Sequence, residues 1–347
     1  MNPSGGFGRQ PNVPDLFMEN AVSEQAAQQP TIETGLIREV RIQMQIVAKG
    51  KDNQEVNMLN ERVLVPSSRG AQVCMDVYVP RVSREIDPGI KRPAIVICPG
   101  GGYAFCSERE AEPVALRFLT EGFNVFVLWY RVGAQPEYEI RGQDASAWYD
   151  KAPENTFPLP QHDAAAAVAY VRSHAAQWHT DPDRIAIMGF SAGGHLAASL
   201  SGLWQHAELW KELGLAPEDV RPNAAVLCYP VICADEDAHR GSFVHLSGTQ
   251  DVAAHQRYSV LNWVSGDYPP TFLWHTFTDE AVPVRNSLRM ALALADAGVL
   301  TEVHIYPKGR HGLSLCNDQT GAAWDATLHQ EECAEWPRLA ARFLKNL

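Results

Sequence analysis

The chain has 347 residues, of which 46% are hydrophobic and 20% charged, so it is long enough to bury the core of a large globular domain. Its formal net charge of −12 argues against nucleic acid or an anionic membrane as a partner. No apolar stretch approaches the roughly 18 residues of a membrane-spanning helix, so membrane insertion is not expected.

Residues 1–34 are rich in Asn, Pro, Gly, Gln and Ser, which predicts a flexible N-terminal tail. They contain no apolar core of the kind found in a secretory signal peptide. The seven cysteines form an odd set without a C-x-x-C pair, which favours buried free thiols in a reducing compartment. These features together predict a cytoplasmic protein.

The predicted elements change character along the chain. Alternating or strand-forming segments at 40–46, 60–65 and 73–79 predict neighbouring strands in an antiparallel start to a sheet. From residue 94 onward, short apolar runs alternate with helical patterns, which indicates parallel strands buried on both faces. The later strands are predicted at 94–98, 124–130, 185–188, 224–229, 271–277 and 302–306, and the helices at 113–120, 163–178, 195–203, 283–297 and 334–344.

This order predicts an α/β fold, with a mostly parallel central sheet, antiparallel N-terminal strands and helices on both faces. Residues 131–159 have no periodicity and carry Pro, Tyr and Asp, so they are interpreted as a loop insertion. No internal repeat is present, and one domain is expected over 35–347.

A serine at a sharp strand–turn–helix junction is the candidate nucleophile. Gly189-Phe-Ser191-Ala-Gly193 has the form G-x-S-x-G and follows an apolar run. The flanking glycines allow strand and helix to approach closely while the Ser191 hydroxyl stands clear of the sheet edge. A tight turn without a catalytic role is the alternative.

A serine nucleophile needs a base, and a carboxylate must orient that base. His311 is the base candidate because it follows a predicted strand and has glycines nearby at 309 and 312. His195 is the rival, but it lies one helical turn after Ser191, where its ring cannot easily reach back. The other histidines near predicted elements are interpreted as structural: His162, His174, His179 and His275.

Asp279 is the carboxylate candidate because it lies just past the predicted strand 271–277. Loops at the carboxyl edge of a parallel sheet converge, so Asp279 and His311 are expected to meet there. The alternatives are an acid that interacts with the dipole of the next helix, and the adjacent Glu280.

Three consecutive glycines supply the candidate oxyanion hole. Pro99-Gly-Gly-Gly-Tyr103 directly follows the predicted strand 94–98, and the candidate donors are the N–H groups of Gly101, Gly102 and Ala192. A phosphate-binding loop is the alternative, but neither common phosphate-loop pattern is present. No H-E-x-x-H motif or paired Cys/His spacing occurs, so neither a metal nor another cofactor is expected.

These motifs resemble those of the α/β-hydrolase esterase/lipase families that include acetyl esterases and bifunctional acetylxylan/feruloyl esterases. The resembling parts are residues 98–103, 181–196, 269–283 and 311–312, within a span of 70–347. The order Ser191, Asp279, His311 is the order of that fold. Pro99 departs from it, since the esterase loop has His there. The resemblance implies an α/β-hydrolase catalytic domain that hydrolyses carboxylic esters through an acyl-enzyme.

The resemblance also implies acetylated sugars or xylan fragments as substrates, so a small-molecule or oligosaccharide ester is expected. Tyr103, Trp148 and Trp204 are candidate substrate contacts, with core packing as the alternative. Residues 108–110 (Glu, Arg, Glu) are interpreted as a solvated helix start, with substrate contact as the alternative. The sequence leaves a homo-oligomer open.

Two other functions remain as alternatives. A serine peptidase of the prolyl-oligopeptidase type shares the sheet and the order of the three residues, but it usually carries a large additional domain. A non-catalytic hydrolase-fold protein would bind a sugar or a partner, and such proteins often lack one member of the triad.

Overall fold

In the part of the chain that the structure describes, eight strands form one central sheet with the order β1-β2-β4-β3-β5-β6-β7-β8. The computed structural model describes residues 58–133, 155–322 and 325–347. Strand β2 pairs antiparallel with β1 and β4, whereas the neighbours from β4 to β8 are parallel. The strands are β1 Leu59–Pro66, β2 Gln72–Val79, β3 Arg92–Cys98, β4 Asn124–Trp129, β5 Thr180–Phe190, β6 Ala224–Cys228, β7 Thr271–Thr276 and β8 Thr301–Tyr306.

Helices cover the sheet because its central strands are apolar on both faces. Every residue of β4, β6 and β7 is buried, as expected for parallel strands packed between two helical layers. The helices are α1 Glu112–Thr120, α2 Leu159–Ser173, α3 Ser191–Leu203, α4 Ala207–Trp210, α5 Pro217–Val220, α6 Arg240–Ser247, α7 Val252–His255, α8 Arg285–Asp296 and α9 Trp336–Lys345.

The predicted fold class is confirmed, but several element bounds were wrong. Helix α2 begins at Leu159 rather than 163, because Pro160 occupies the first turn, where a missing N–H costs nothing. It ends at Ser173 rather than 178. Strand β5 begins at Thr180 rather than 185. The predicted tail 1–34, the predicted strand 40–46 and residues 134–154 of the predicted insertion lie outside the described residues.

The described residues belong to one compact unit, Met58–Leu347. Within the described ranges, no helix is both long and apolar enough to cross a membrane. All seven cysteines lie in these ranges, where six of them are buried and Cys74 is half-buried.

A buried ion pair anchors helix α2 beside the sheet. The Asp163 side chain is fully buried, and its Oδ1 accepts hydrogen bonds from Ser67 Oγ (2.5 Å) and from an Arg131 guanidinium nitrogen (2.7 Å). Its Oδ2 accepts from the Arg131 backbone N–H at 2.9 Å. A buried charge is tolerated when it is paired and both oxygens are hydrogen-bonded, as they are here.

Removing this carboxylate should destabilise the fold strongly. Asp163→Ala leaves the Arg131 charge without its buried partner, so the free energy of unfolding should fall by about 3–5 kcal/mol in urea titrations. Glu208→Ala is the matched control, because the exposed Glu208–Lys211 pair should contribute less than about 1 kcal/mol. Equal losses in the two variants would contradict a structural role for the buried pair.

Candidate active site

The sharp turn between β5 and α3 holds Ser191 in a left-handed backbone conformation, with φ of +53°. A Cβ on Gly189 would lie 2.0 Å from the Gly193 carbonyl oxygen, and one on Gly193 would lie 2.1 Å from the Cys98 carbonyl oxygen. Only glycine fits at either position. The close approach forces Ser191 into a conformation that L-residues rarely adopt and places its hydroxyl at the carboxyl edge of the sheet.

The structure brings Ser191, His311 and Asp279 together. Ser191 Oγ lies 2.8 Å from His311 Nε2, and His311 Nδ1 lies 2.6 Å from Asp279 Oδ2. A carboxylate can only accept, so Nδ1 carries the proton and Nε2 is free to accept from the serine hydroxyl. This tautomer is the one that a general base for Ser191 requires.

The two oxygens of Asp279 have different partners. Oδ1 accepts from the backbone N–H groups of Ala281 (3.0 Å) and Val282 (2.9 Å), which fixes the turn after β7. Oδ2 faces His311 and His275. Burial alone would raise the pKa of the Asp279 carboxyl, but hydrogen bonds from His275 and His311 outweigh it and hold that pKa well below its usual value. Asp279 therefore remains a carboxylate beside His311.

His275 is a partner of Asp279 that the sequence analysis treated only as structural. Its Nε2 faces two acceptors, Asp279 Oδ2 at 3.2 Å and the Val282 carbonyl oxygen at 3.0 Å, so Nε2 carries a proton. Its Nδ1 lies 2.7 Å from Ser287 Oγ. The available signal was a histidine inside an otherwise apolar strand, because a buried polar ring needs hydrogen-bond partners.

The loops that carry Asp279 and His311 are hydrogen-bonded to each other. The Gly309 carbonyl accepts from the hydroxyls of Thr276 (2.9 Å) and Thr278 (3.0 Å), and the Gly309 N–H donates to Thr278 Oγ1 at 3.0 Å. Gly309 has φ of +145°, and a Cβ there would lie 2.7 Å from Leu313 Cδ1. Position 309 therefore requires glycine, and the His311 loop is fixed relative to Asp279.

The glycine loop after β3 lies against the serine turn. A Cβ on Gly100 would lie 3.1 Å from Ser191 Cβ. The loop folds back on itself through its carbonyls, and Gly101 and Gly102 have φ of +126° and +65°. In the described part of the chain, neither of these two N–H groups has a hydrogen-bond acceptor. The Ala192 N–H lies in the first turn of α3, where no helical acceptor exists.

Tyr103 was predicted as a substrate contact, but its ring is buried at 1% exposure. Its hydroxyl donates to His195 Nδ1 at 2.8 Å, and His195 Nε2 donates to the Tyr258 carbonyl at 2.8 Å. Burial lowers the pKa of His195 to about 4, opposed by the Tyr258 hydrogen bond, so His195 is neutral at neutral pH. Both residues have structural partners, and their burial argues against direct contact with a substrate.

The structure does not bring Trp204, one of the two tryptophan candidates, to the site. Trp204 directly follows α3, whose 13 residues separate it from Ser191 by about 20 Å. The Arg221 guanidinium lies 4.9 Å from its ring centroid. Trp148 lies outside the described residues.

The predicted solvated helix start is wrong for Glu110, which is only 3% exposed. Its carboxylate accepts from Tyr229 Oη at 2.6 Å and from the Gly100 N–H at 2.8 Å. Glu108 is exposed and Arg109 is half-buried. Sequence periodicity gave no signal for this burial, because the segment forms only one turn of 3-10 helix, Glu108–Glu110.

One acidic cluster in the described ranges has carboxylates close enough to share a cation: Asp235, Glu236 and Asp237. Arg289 pairs with Asp235 at 2.8 Å and with Asp237 at 3.2 Å, and Arg285 pairs with Asp237 at 3.2 Å. The guanidinium groups already supply positive charge to two of the three acids, so the cluster is explained as an ion-pair network.

Comparison with known proteins assigns the chain to a family. The BD-FAE model matches residues 144–294, and the Carboxylesterase family model matches residues 73–212. The acetyl ester-xyloside bifunctional hydrolase of Caldicellulosiruptor lactoaceticus is 36% identical, with a TM-score of 0.63 over 79% of this chain and 88% of its own. The carboxylesterase Cest-2923 of Lactobacillus plantarum WCFS1 is 26% identical, with a TM-score of 0.71 over 83% and 98%.

Among curated proteins, an acetylxylan esterase of Xylanibacter ruminicola is 32% identical over 64% of this chain and 41% of its own length. The chain spans between a third and about half of the length of the first curated relatives that it matches. The sheet order and the solved structures define the class as α/β hydrolases. The chain belongs to the α/β-hydrolase esterase/lipase family, whose named relatives here are carboxylic-ester hydrolases.

Replacing Asp279 should remove the orienting carboxylate. In Asp279→Asn, an amide N–H can face His311 Nδ1 and select the tautomer that cannot accept the serine proton, so kcat for an ester should fall about 10⁴-fold. Glu280→Gln is the control for the exposed adjacent acid and should retain native kcat. If steady-state kinetics showed a loss of kcat in Glu280→Gln and native kcat in Asp279→Asn, the orienting role would belong to Glu280.

Replacing Tyr103 should affect stability more than substrate binding. Tyr103→Phe leaves the buried His195 Nδ1 only the Ser199 hydroxyl at 3.3 Å, which also donates to the His195 carbonyl, so the free energy of unfolding should fall by about 1–3 kcal/mol, with KM unchanged. Tyr306→Phe is the matched control, because the buried Tyr306 hydroxyl has no hydrogen-bond partner in the described ranges and its loss should be close to neutral. A raised KM in Tyr103→Phe without loss of stability would instead support substrate contact.

Proposed function

We propose that this protein is a serine carboxylic-ester hydrolase that acts through an acyl-enzyme and removes acetyl groups from small or sugar-derived esters. The observation that carries the proposal is the continuous hydrogen-bonded line from Ser191 through His311 to Asp279. It lies beside the glycine loop, where the N–H groups of Gly101 and Gly102 have no acceptor among the described residues and could bind an oxyanion. The proximity of these groups supports Ser191 as the nucleophile, His311 as the base, Asp279 as the orienting acid and the glycine loop as the electrostatic site.

In the acylation step, Ser191 Oγ attacks the ester carbonyl carbon and its proton passes to His311 Nε2. The carbonyl oxygen becomes an oxyanion, which the N–H groups of Gly101, Gly102 and Ala192 bind. The imidazolium is stabilised by the Asp279 carboxylate. When the tetrahedral intermediate collapses, the bond to the alcohol oxygen breaks and His311 donates its proton to that oxygen. The products are the free alcohol and the Ser191 ester.

In the deacylation step, water takes the place of the alcohol. His311 Nε2 removes a proton from the water as its oxygen attacks the acyl carbon. The same N–H groups bind the second oxyanion. Collapse breaks the bond to Ser191 Oγ, which regains its proton from His311, and the carboxylic acid leaves. Each oxyanion donor contributes about 10²–10³-fold to turnover in comparable sites.

The acetyl preference is supported by relatives whose names specify it. One solved relative is described as an acetyl ester-xyloside bifunctional hydrolase, and one curated relative as an acetylxylan esterase. These two are 36% and 32% identical to the chain. We extend their substrate class to this chain as part of the proposal.

The test is hydrolysis of p-nitrophenyl esters of increasing acyl length, followed by acetylated xylo-oligosaccharides. The native protein should prefer acetate, and Ser191→Ala should lose hydrolysis and labelling by a fluorophosphonate, because the attacking oxygen is gone. Ser173→Ala, at an exposed serine of α2, should retain both.

Retained hydrolysis in Ser191→Ala would refute the serine mechanism. Cleavage of peptide amides without cleavage of esters would favour a peptidase. Absence of fluorophosphonate labelling and hydrolysis in the native protein would favour a binding role. A preference for long acyl chains would refute the acetyl substrate alone.

A further inference from the structure

Glu110 is a buried carboxylate to which the acyl-transfer steps above give no role. It ends the short 3-10 turn that follows the glycine loop, and it is 3% exposed. Removing a carboxylate from water costs several kcal/mol unless other groups stabilise it. The groups that do so here belong to the two loops that hold the reacting residues.

A chain of donors converges on Glu110. The Gly100 N–H donates to its Oε2 at 2.8 Å, and the Tyr229 hydroxyl donates to its Oε1 at 2.6 Å. The Tyr229 oxygen in turn accepts from the Ser314 N–H at 2.9 Å. Gly100 begins the glycine loop and Ser314 lies three residues after His311. Glu110 therefore links the glycine loop to the His311 loop through Tyr229.

A second set of contacts joins the same two segments. The Ser314 hydroxyl donates to the Arg109 carbonyl at 2.6 Å, and Arg109 Nε donates to the Thr320 carbonyl at 2.7 Å. Ser314 has φ of +53°, a left-handed conformation that a non-glycine residue adopts only when its surroundings enforce it. The strained backbone conformation therefore occurs at the residue whose N–H donates to the Tyr229 oxygen.

The carboxylate also lies close to the reacting groups. A Cβ on Gly100 would lie 2.6 Å from Glu110 Oε2 and 3.1 Å from Ser191 Cβ. The Tyr229 ring lies edge-on to His311, with centroids 5.1 Å apart. Burial raises the pKa of Glu110, opposed by the hydrogen bonds from Tyr229 and Gly100 and by the charge of His311. Because both oxygens face donors, Glu110 acts as an acceptor in its ionised form.

We propose that Glu110 is a positioning residue for the ester hydrolysis proposed above. Its carboxylate fixes the glycine loop at Gly100. Through Tyr229, it also fixes the position of that loop relative to the His311 loop. Its negative charge favours the imidazolium that His311 forms during acyl transfer. The inference depends on the proposed function for its catalytic consequence, whereas the link between the loops can be measured independently.

The sign of the pH effect follows from the groups around the two residues. His311 experiences the charges of Asp279 and Glu110 and lies near His239, whose own pKa is lowered mainly by burial. Tyr130, Cys228, Tyr229 and Arg109 also interact with Glu110. Removing a negative charge destabilises the His311 imidazolium relative to the neutral ring. Activity needs neutral His311, so the acid limb of kcat/KM should move to lower pH.

The experiment compares two substitutions that separate the charge of residue 110 from the length of its side chain. In each variant, kcat is normalised by fluorophosphonate titration of active sites. Glu110→Gln removes the charge and should lower kcat at least about tenfold, leave KM nearly constant and move the acid limb to lower pH. Glu110→Asp retains the charge but is too short for both donors, so kcat should fall while the acid limb stays in place. Glu112→Gln, at an exposed acid two residues later, is the matched control and should behave as native.

Tyr229→Phe provides a second route, because it keeps Glu110 but removes the bridge to Ser314. Backbone hydrogen exchange should become faster in peptides covering 99–105 and 311–316, and kcat should fall. Native exchange in Tyr229→Phe together with native kcat and an unmoved acid limb in Glu110→Gln would overturn the inference. Absence of ester hydrolysis in the native protein would overturn the proposed function and with it the catalytic consequence, while the exchange rates would still report on the link between the loops.

Discussion

The close approach of three backbone segments at Gly189, Gly193 and Cys98 determines the geometry of the site. Strands β3 and β5 are parallel neighbours, and Cys98 pairs in register with Gly189. The glycine loop leaves β3 at this point, and β5 turns into helix α3 two residues later. A side chain on either glycine would overlap a carbonyl oxygen. The sheet register therefore brings Ser191 and the glycine loop together independently of the contacts between loops.

The remaining parts of the site are fixed mainly by hydrogen bonds between loops. Two threonine hydroxyls hold Gly309 against the end of β7, and His275 donates to Asp279 Oδ2, the oxygen that also faces His311. Thr276, His275 and Asp279 are buried, where a hydrogen bond is stronger than in water and an unmade one is costly, whereas Thr278 is exposed. Such a network keeps dipoles oriented before the substrate arrives, which is the condition for electrostatic stabilisation of an oxyanion.

Local patterns predicted the fold class and the three candidate residues Ser191, Asp279 and His311. Both predictions depend on features that the sequence shows directly. Apolar runs marked the buried strands, and the positions of Ser191, Asp279 and His311 after predicted strands placed them at one edge. Glu110 and His275 were missed as site residues because their hydrogen bonds to Tyr229 and to Asp279 exist only in the folded chain and leave no pattern in the sequence. Helix length could have excluded Trp204, since 13 helical residues extend about 20 Å.

Helices α6 and α7, in the region between β6 and β7, were also absent from the predictions. They have 8 and 4 residues, too few for a helical period to stand out from the surrounding polar sequence. The two ends of α6 depend on single residues: His239 Nδ1 accepts from the Ser242 N–H at its start, and Gly248 ends it with φ of +75°. A histidine cap of this kind is not among the residues that usually mark a helix start.

The residues on either side of the interval 134–154 are hydrogen-bonded to each other. Asn155 donates from its side chain to the Val132 carbonyl at 2.8 Å and from its backbone to the Gly133 carbonyl at 3.3 Å. The Gly133 N–H donates to the Tyr103 carbonyl at 2.7 Å, beside the glycine loop. Doubling the length of a flexible connection between fixed ends costs only about 0.6 kcal/mol in closure entropy. This position therefore accommodates connections of different lengths beside the glycine loop at little cost in closure entropy.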